Sequence, residues 1–535
     1  MYCPCGRWTR SCLEKDASQA CDGKFRMCQR GIGRSKRSDD SLPCPLASSW
    51  RLSIAHSQII APSNLLRLSL VCYYHMSVLL RVSTSYSLST LRLGLGSTSS
   101  LSSMPPSRFR PSRLDNVEYV EGYRPGGFHP VAIGDVFAQG RYRVVHKLGF
   151  GGSSTIWLAR NRPGKLVTLK VMRAEDSSKP VGDIPDLAVP LKLSEYLHAK
   201  GPVARSNIQT PEDYFTENGP NGSHLCLVYE LAGPSILSMA DCPGRVIGSR
   251  RLRKDLARKV IKQLVCAVEL MHTGSFVHGD LTTSNILFRV AENVQNWSDD
   301  EVYLNFGQPE TEEIETRDRS PSGPHAPSQL IAQIDNASFH YTLLQEDSLL
   351  IDFGQSFSKF HPPTGYEPAT VPHYLSPEAR FEGRIGLPSD VWALACTIFQ
   401  IRAGFPLFEA FLGGNDEVLK EIVATLGKLP EPWWGTFKNR HLWFDEDGKP
   451  KAPELQQVLL PAEKTSIQQQ LASIGSQDEP PATGYDGAMM ERLGTRLDKV
   501  EIQLLGDLLE KMLRYRPQDR IEMSEVVGHP WFALE

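Results

Sequence analysis

The sequence predicts an α+β protein of two lobes, a small antiparallel-sheet lobe followed by a larger, mostly helical one. Three observations predict it. Arg141–Leu148 alternates apolar and polar residues, and Thr155–Arg160 and Leu166–Met172 follow after short connections, the pattern of an antiparallel meander. From Leu252 the period lengthens to that of helices, over Leu252–His272, Pro388–Arg402, Glu417–Leu426 and Lys499–Leu513. Between these helices, Gly274–Val277 and Leu349–Ile351 are short apolar runs that each end in an Asp-bearing loop. The chain has 535 residues, enough for two packed lobes.

Residues 1–118 read as a low-complexity extension ahead of the folded part, either disordered or preceding the real start, with Met76 and Met104 as alternative starts. Seven of the eleven cysteines lie there, in a spacing that matches no paired CxxC zinc pattern. Leu68–Leu80, bracketed by Arg67 and Arg81, is too short to cross a bilayer as a helix. Residues 41–114 have no Asp or Glu and are rich in Ser and Leu, a composition similar to a mitochondrial transit peptide. The run begins after Asp39-Asp40, however, and the extension reading is preferred. The remaining cysteines, Cys226, Cys242, Cys266 and Cys396, sit in apolar stretches and are expected as buried free thiols. A formal net charge of -3 argues against nucleic acid as an electrostatically driven partner, and no membrane partner is expected.

Residues 119–231 form the sheet lobe. Leu148-Gly149-Phe150-Gly151-Gly152-Ser153-Ser154 joins the first two strands, and glycines let a backbone approach phosphates and turn its amides towards them. Lys170 follows on the third strand, in Val167-Thr-Leu-Lys170, suitably placed for the α- and β-phosphates of a nucleotide. Asp186–Lys200 has a helical pattern interrupted early by Pro190, and Leu225–Leu231 is a further strand.

Residues 232–535 form the helical lobe. His278-Gly279-Asp280-Leu281-Thr282-Thr283-Ser284-Asn285 carries an Asp and an Asn five residues apart, and Asp352-Phe353-Gly354 carries a second Asp. A phosphotransferase needs a base for the substrate hydroxyl and two magnesium ligands. Asp280 suits the base, and Asn285 and Asp352 the ligands. Each could instead cap a turn, but together they point to ATP-dependent phosphoryl transfer with Mg2+. The segment 289–348, with Glu310–Glu315 and Ser320-Pro-Ser-Gly-Pro324, reads as an exposed, partly disordered insertion without a core of its own.

From Arg141 to Phe532 the chain resembles the eukaryotic protein kinases, which implies their bilobal fold. Tyr229-Glu230-Leu231-Ala232 is similar to the gatekeeper and hinge, so Glu230 and Ala232 join Leu148, Gly149, Gly151, Gly152, Ser154, Ile156 and Lys170 as nucleotide-binding residues. Ser376-Pro377-Glu378 resembles the end of an activation segment, and Arg520 is the implied partner of Glu378. Ser389-Asp390-Val391-Trp392 matches the buried helix that follows. Within the superfamily the chain is most similar to SR-protein kinases of the fungal type. The insertion before Asp352 carries that likeness, with Asn415–Pro430, Pro432-Trp433-Trp434 and Trp443–Gly448 inside an insert spanning about 405–498. The resemblance implies a monomeric kinase of nucleus and cytoplasm that acts on Ser or Thr of proteins, with Arg-Ser-rich splicing factors as candidate substrates.

Four positions that bear on mechanism depart from the family pattern. Ser154 stands at the third glycine, Gly279 replaces the Arg before the base, and Thr282 replaces the Lys two residues after it. The helix glutamate that should pair with Lys170 aligns with Pro190, leaving Asp186 or Glu195 as substitutes. Glu417 matches one acid that docks Arg-rich substrates, but Ala424 stands at the second, and Leu375 replaces the branch's usual Arg. Gly279, Thr282 and Pro190 favour a pseudokinase or scaffold, and His278-Gly279-Asp280-Leu281 followed by Asn285 also resembles the loop of small-molecule phosphotransferases, the aminoglycoside and choline kinases. The intact Lys170, Asp280, Asn285 and Asp352 oppose the first, and the Glu378–Arg520 match opposes the second.

Overall fold

The computed structural model describes residues 107–534, apart from 200–206, 242–249, 411–413, 457, 477 and 479–487. The expectations for residues 1–106 and Cys242 lie outside the described residues.

The amino-terminal lobe is a six-stranded antiparallel sheet in the order β1-β2-β3-β4-β6-β5. Its strands are β1 (Val136–Phe137), β2 (Tyr142–Phe150), β3 (Ser154–Asn161), β4 (Leu166–Met172), β5 (Asp213–Gly219) and β6 (Gly222–Glu230). Val144, Trp157, Ala159, Leu169 and Val171 bury one face, while Val145 and Leu158 bury the other. That alternation follows from the two-residue period of a strand. The expected meander holds, with Lys170 centrally placed opposite Ile156 and Leu227. Among the described residues, the one large helix of this lobe spans Pro185–Ala199.

In the carboxy-terminal lobe, helix Lys254–Thr273 buries Leu256, Val260, Ile261, Leu264, Val268 and Met271, one face at helical spacing. Cys266 lies on the opposite face and is exposed, unlike Cys226 and Cys396, so the expectation of a buried thiol fails there. Helix Leu387–Ala403 is buried from Ser389 to Ala403, all round, and forms the centre of the lobe. Arg402, in its last turn, is wholly buried and forms an ion pair with Glu501 at 2.8 Å. The insert region has its own aromatic core of Trp433, Trp434, Phe437, Trp443 and Phe444. No helix among the described residues is long and apolar enough to cross a membrane.

Two further sequence expectations are corrected. The described chain begins at Ser107, and residues 107–118 pack rather than trail, with Phe109 buried against Val120, Tyr123, Phe128, Ala326 and Leu330. The insertion is also built into the fold. It contains helix Asp299–Phe306, started by a reciprocal Ser298–Glu301 capping box, and a strand pair, Thr311–Glu313 with Gln329–Ile331. Val302, Phe306 and Phe339 enter the main core, and Asp299 accepts from Arg143 at 2.7 Å and Arg160 at 2.7 Å. A composition-based reading missed this because the insertion borrows its core from residues distant in sequence.

Candidate active site

β2 ends in the Gly-rich turn, closed by Gly151 N–H donating to the Ser154 carbonyl at 2.9 Å. A Cβ on Gly151 or Gly152 would meet no atom within 4 Å, so packing within the chain does not demand glycine there. The space left open is what a phosphate approaching the backbone requires. Ser154 is buried, and Leu148 and Ile156 are half-buried beside the turn. At the lobe junction the Glu230 carboxylate accepts from Gln295 at 3.0 Å and also from Arg289. Ala232, 8 % exposed, lies two residues on, opposite Arg289.

Lys170 donates to Asp186 at 2.6 Å and to Asp352 at 3.3 Å. The open question of the helix acid is thereby resolved geometrically. Asp186 sits in the first turn of helix Pro185–Ala199, while Glu195 is exposed on it. Pro190 has no N–H to offer the Asp186 carbonyl four residues back, so that intrahelical bond is missing. Burial alone would lower the Lys170 pKa, but Asp186 and Asp352 together raise it well above the lysine value. Lys170 in turn holds Asp352 below the usual carboxylate range, against the opposing effect of burial.

Asp352 has φ of +63°, a left-handed conformation that Asp tolerates better than most residues. Next to it, Phe353 tilts against His278 with ring centroids 5.3 Å apart. His278 Nδ1 accepts from Asp280 N–H at 3.2 Å, so its proton belongs on Nε2, 3.1 Å from the Ile351 carbonyl. This links the two loops. Asn285 donates to both the carbonyl and the carboxylate of Asp280, at 2.8 and 2.9 Å. Burial raises the Asp280 pKa, while the hydrogen bond from Asn285 partly offsets the rise.

The loop backbone is anchored from below. Asp390 accepts from the amides of His278 at 2.8 Å and Gly279 at 3.0 Å, and pairs with His272 at 3.0 Å. Gly279 has φ of +82°, and a Cβ there would lie 2.6 Å from the Gln355 carbonyl and 2.6 Å from the Tyr366 hydroxyl. The departure at this position is therefore required by the surrounding activation segment. Thr282 is buried, its hydroxyl 2.7 Å from that of Ser284. Arg520 makes a double contact with Glu378, at 2.7 and 2.6 Å.

Hard oxygen donors suit magnesium. Asp352 supplies a carboxylate, and Asn285, whose amide nitrogen is engaged, keeps its carbonyl oxygen for a ligand. Two oxygen donors would leave the rest of a magnesium shell to water and nucleotide phosphates, as magnesium prefers. Sequence reasoning identified Lys170, Asp280, Asn285 and Asp352, which the fold gathers at one cleft. It missed Thr370 beside Asp280 and the anchoring of Gly279 by Asp390, which no local motif announces.

A sheet lobe over a helical lobe, with these residues between them, defines a phosphotransferase of the protein kinase type. The protein kinase domain model matches residues 142–298 and 342–532, and the chain belongs to that family of ATP-dependent enzymes. The unmatched residues between the two stretches fall within the insertion. The serine/threonine-protein kinase SRPK of Physarum polycephalum is 24% identical over 429 residues, covering 78% of this chain and 91% of that protein. Protein kinase dsk1 of Schizosaccharomyces pombe is 33% identical over 178 residues, 33% of this chain and 31% of its own length. Human SRSF protein kinase 3 is 34% identical over 185 residues, 33% of this chain and 30% of its own length. The relatives place the chain beside kinases of SRPK type.

Proposed function

We propose that the chain transfers the γ-phosphate of ATP to serine or threonine hydroxyls of a protein substrate. The observation that carries this is the convergence of Asp280, Asn285, Asp352 and Lys170, with Asp186 completing the lysine's ion pair. Asp280 accepts the substrate hydroxyl proton, helped by a pKa raised above the usual carboxylate value. Lys170 orients the α- and β-phosphates, and the Gly149–Ser154 turn covers them with backbone amides. Asp352 and Asn285 would hold magnesium, which when bound screens the charge of the transferring phosphate. Glu230 and Ala232 present hinge backbone to the adenine.

The reading of an SR-type substrate rests on the human relative, an SRSF protein kinase. Glu417, in the first turn of helix Asn415–Leu426, supports it as an acid for docking arginines, whereas Ala424 is buried in the same helix. The test is phosphorylation of a peptide array by the full chain with MgATP. Transfer to Ser/Thr peptides, strongest on Arg-Ser repeats, is the expected result. Binding of MgATP without transfer to any peptide would favour the scaffold reading that Thr282 supports.

A further inference from the structure

β1 covers the outer edge of β2 only near its start, and residues 134 and 135 extend the cover to Val144. Beyond that point the edge runs on towards the phosphate loop, and the β2–β3 register shifts between Lys147 and Gly149. A strand with a shifted ladder and a free edge would hold its terminal loop loosely.

Residues 331–334 of the insertion occupy that edge. Ile334 N–H donates to the Lys147 carbonyl at 2.9 Å, and Lys147 Nζ donates to the Ile331 carbonyl at 2.9 Å. Lys147 is therefore held by both its main chain and its side chain. Its ammonium, with no exposed surface, also pairs with Glu118, which accepts from Tyr123. The Gln333 amide oxygen lies 3.6 Å from where a Gly149 Cβ would stand, and Gln333 N–H reaches Asn116 at 3.4 Å. Three segments distant in sequence thus meet one residue before the first glycine-flanking position of the loop.

We infer that the insertion and the segment ahead of β1 form a built-in clamp that preorganises the phosphate loop, with Lys147, Glu118 and Gln333 as positioning residues for the nucleotide. A loop already held in place surrenders less freedom when phosphate binds, so the clamp acts on nucleotide affinity rather than on the transfer step. The strand pair Thr311–Glu313 with Gln329–Ile331 supports the clamp from behind. Removing Glu310–Pro327 would strip that support.

This rests on the kinase reading, and two measurements separate them. In the full chain, Glu118→Gln and Gln333→Ala are compared with wild type by calorimetric titration with MgATP and by amide hydrogen exchange over residues 148–154. Steady-state kinetics with a short peptide accompany both. We expect the MgATP Kd and KM to rise about fivefold and exchange to quicken, while kcat and the peptide KM stay within about twofold, the signature of lost uniform binding. Gln333→Ala touches no ion pair and decides the matter if Glu118→Gln fails to fold. Unchanged Kd and exchange in the folded variants overturn the clamp. So does a fall in kcat with KM for ATP unmoved, which would mark Lys147 as merely structural. Wild-type protein that does not bind MgATP would instead overturn the kinase reading itself.

Discussion

Lys170 on β4 donates to Asp186 at 2.6 Å from a helix in which Pro190 stands at the position the family gives to the pairing acid. The acid is shorter and lies nearer the helix start than the resemblance implies. Asp186→Ala should leave Lys170 paired with Asp352 alone and lower kcat/KM about a hundredfold. Glu195→Ala, on the exposed side of the same helix, should have no effect. Parallel kinetics of the two variants check the assignment, and equal losses would refute it.

Asp352→Ala removes a carboxylate donor and the second partner of Lys170 together. Activity should fall by about three orders of magnitude, with MgATP binding weakened in the same variant. Wild-type autophosphorylation in Asp352→Ala would refute the role.

Activity should not depend on phosphate in the activation segment. The space beside Gly279 is taken by the Tyr366 hydroxyl, and Thr370 donates to the Gly279 carbonyl at 2.8 Å. Neutral hydrogen bonds hold the segment where a guanidinium–phosphate contact would otherwise order it. Bacterially made protein treated with phosphatase should retain most of its activity. Restoration of a large loss by rephosphorylating Thr364 or Thr370 would show the opposite. Gly279→Arg should inactivate the enzyme, since the new side chain meets the Gln355 backbone.

The acid limb of the pH profile should lie above the ordinary aspartate range, because burial raises the Asp280 pKa and protonation removes the base. The hydrogen bond from Asn285 stabilises the charged form and pulls the value part of the way down. The pH dependence of kcat/KM checks this, and an acid limb within the ordinary aspartate range would refute the arrangement.

Breaking the Glu378–Arg520 pair should destabilise the helical lobe. Both groups are almost wholly buried, and Ser389 also donates to Glu378 at 2.7 Å. Arg520→Ala leaves a carboxylate buried without its cation, a change that costs about 3–5 kcal/mol. Chemical denaturation should show it, and a loss below about 1 kcal/mol would place the pair among weak surface bridges.

Much of this was legible in the sequence because short motifs carry it. The strands of the meander, Lys170, the Asp280–Asn285 loop and Asp352 each depend on neighbours within about ten residues. The match of Glu378 to Arg520 was legible only through resemblance, across 142 residues, and the structure shows the pair. The choice between Asp186 and Glu195 was not legible, since it depends on how helix Pro185–Ala199 is docked rather than on its own pattern. The insertion was misread for the same kind of reason. Ala326 and Leu330 are too few to form a core alone, and Phe109, Val120 and Phe128 supply the rest.

The covered edge of β2 has a consequence for how the protein behaves when cut down. Past Val144, the Val145 carbonyl faces the Tyr303 hydroxyl and the Lys147 carbonyl accepts from Ile334, so the insertion occupies the hydrogen-bonding groups there. A bare strand edge is a template on which another chain can add a strand. Shortened versions lacking the insertion should therefore self-associate through their amino-terminal lobes, and their loss from solution should steepen with concentration. On that expectation, the acidic segment that composition reads as exposed and partly disordered also keeps neighbouring molecules apart.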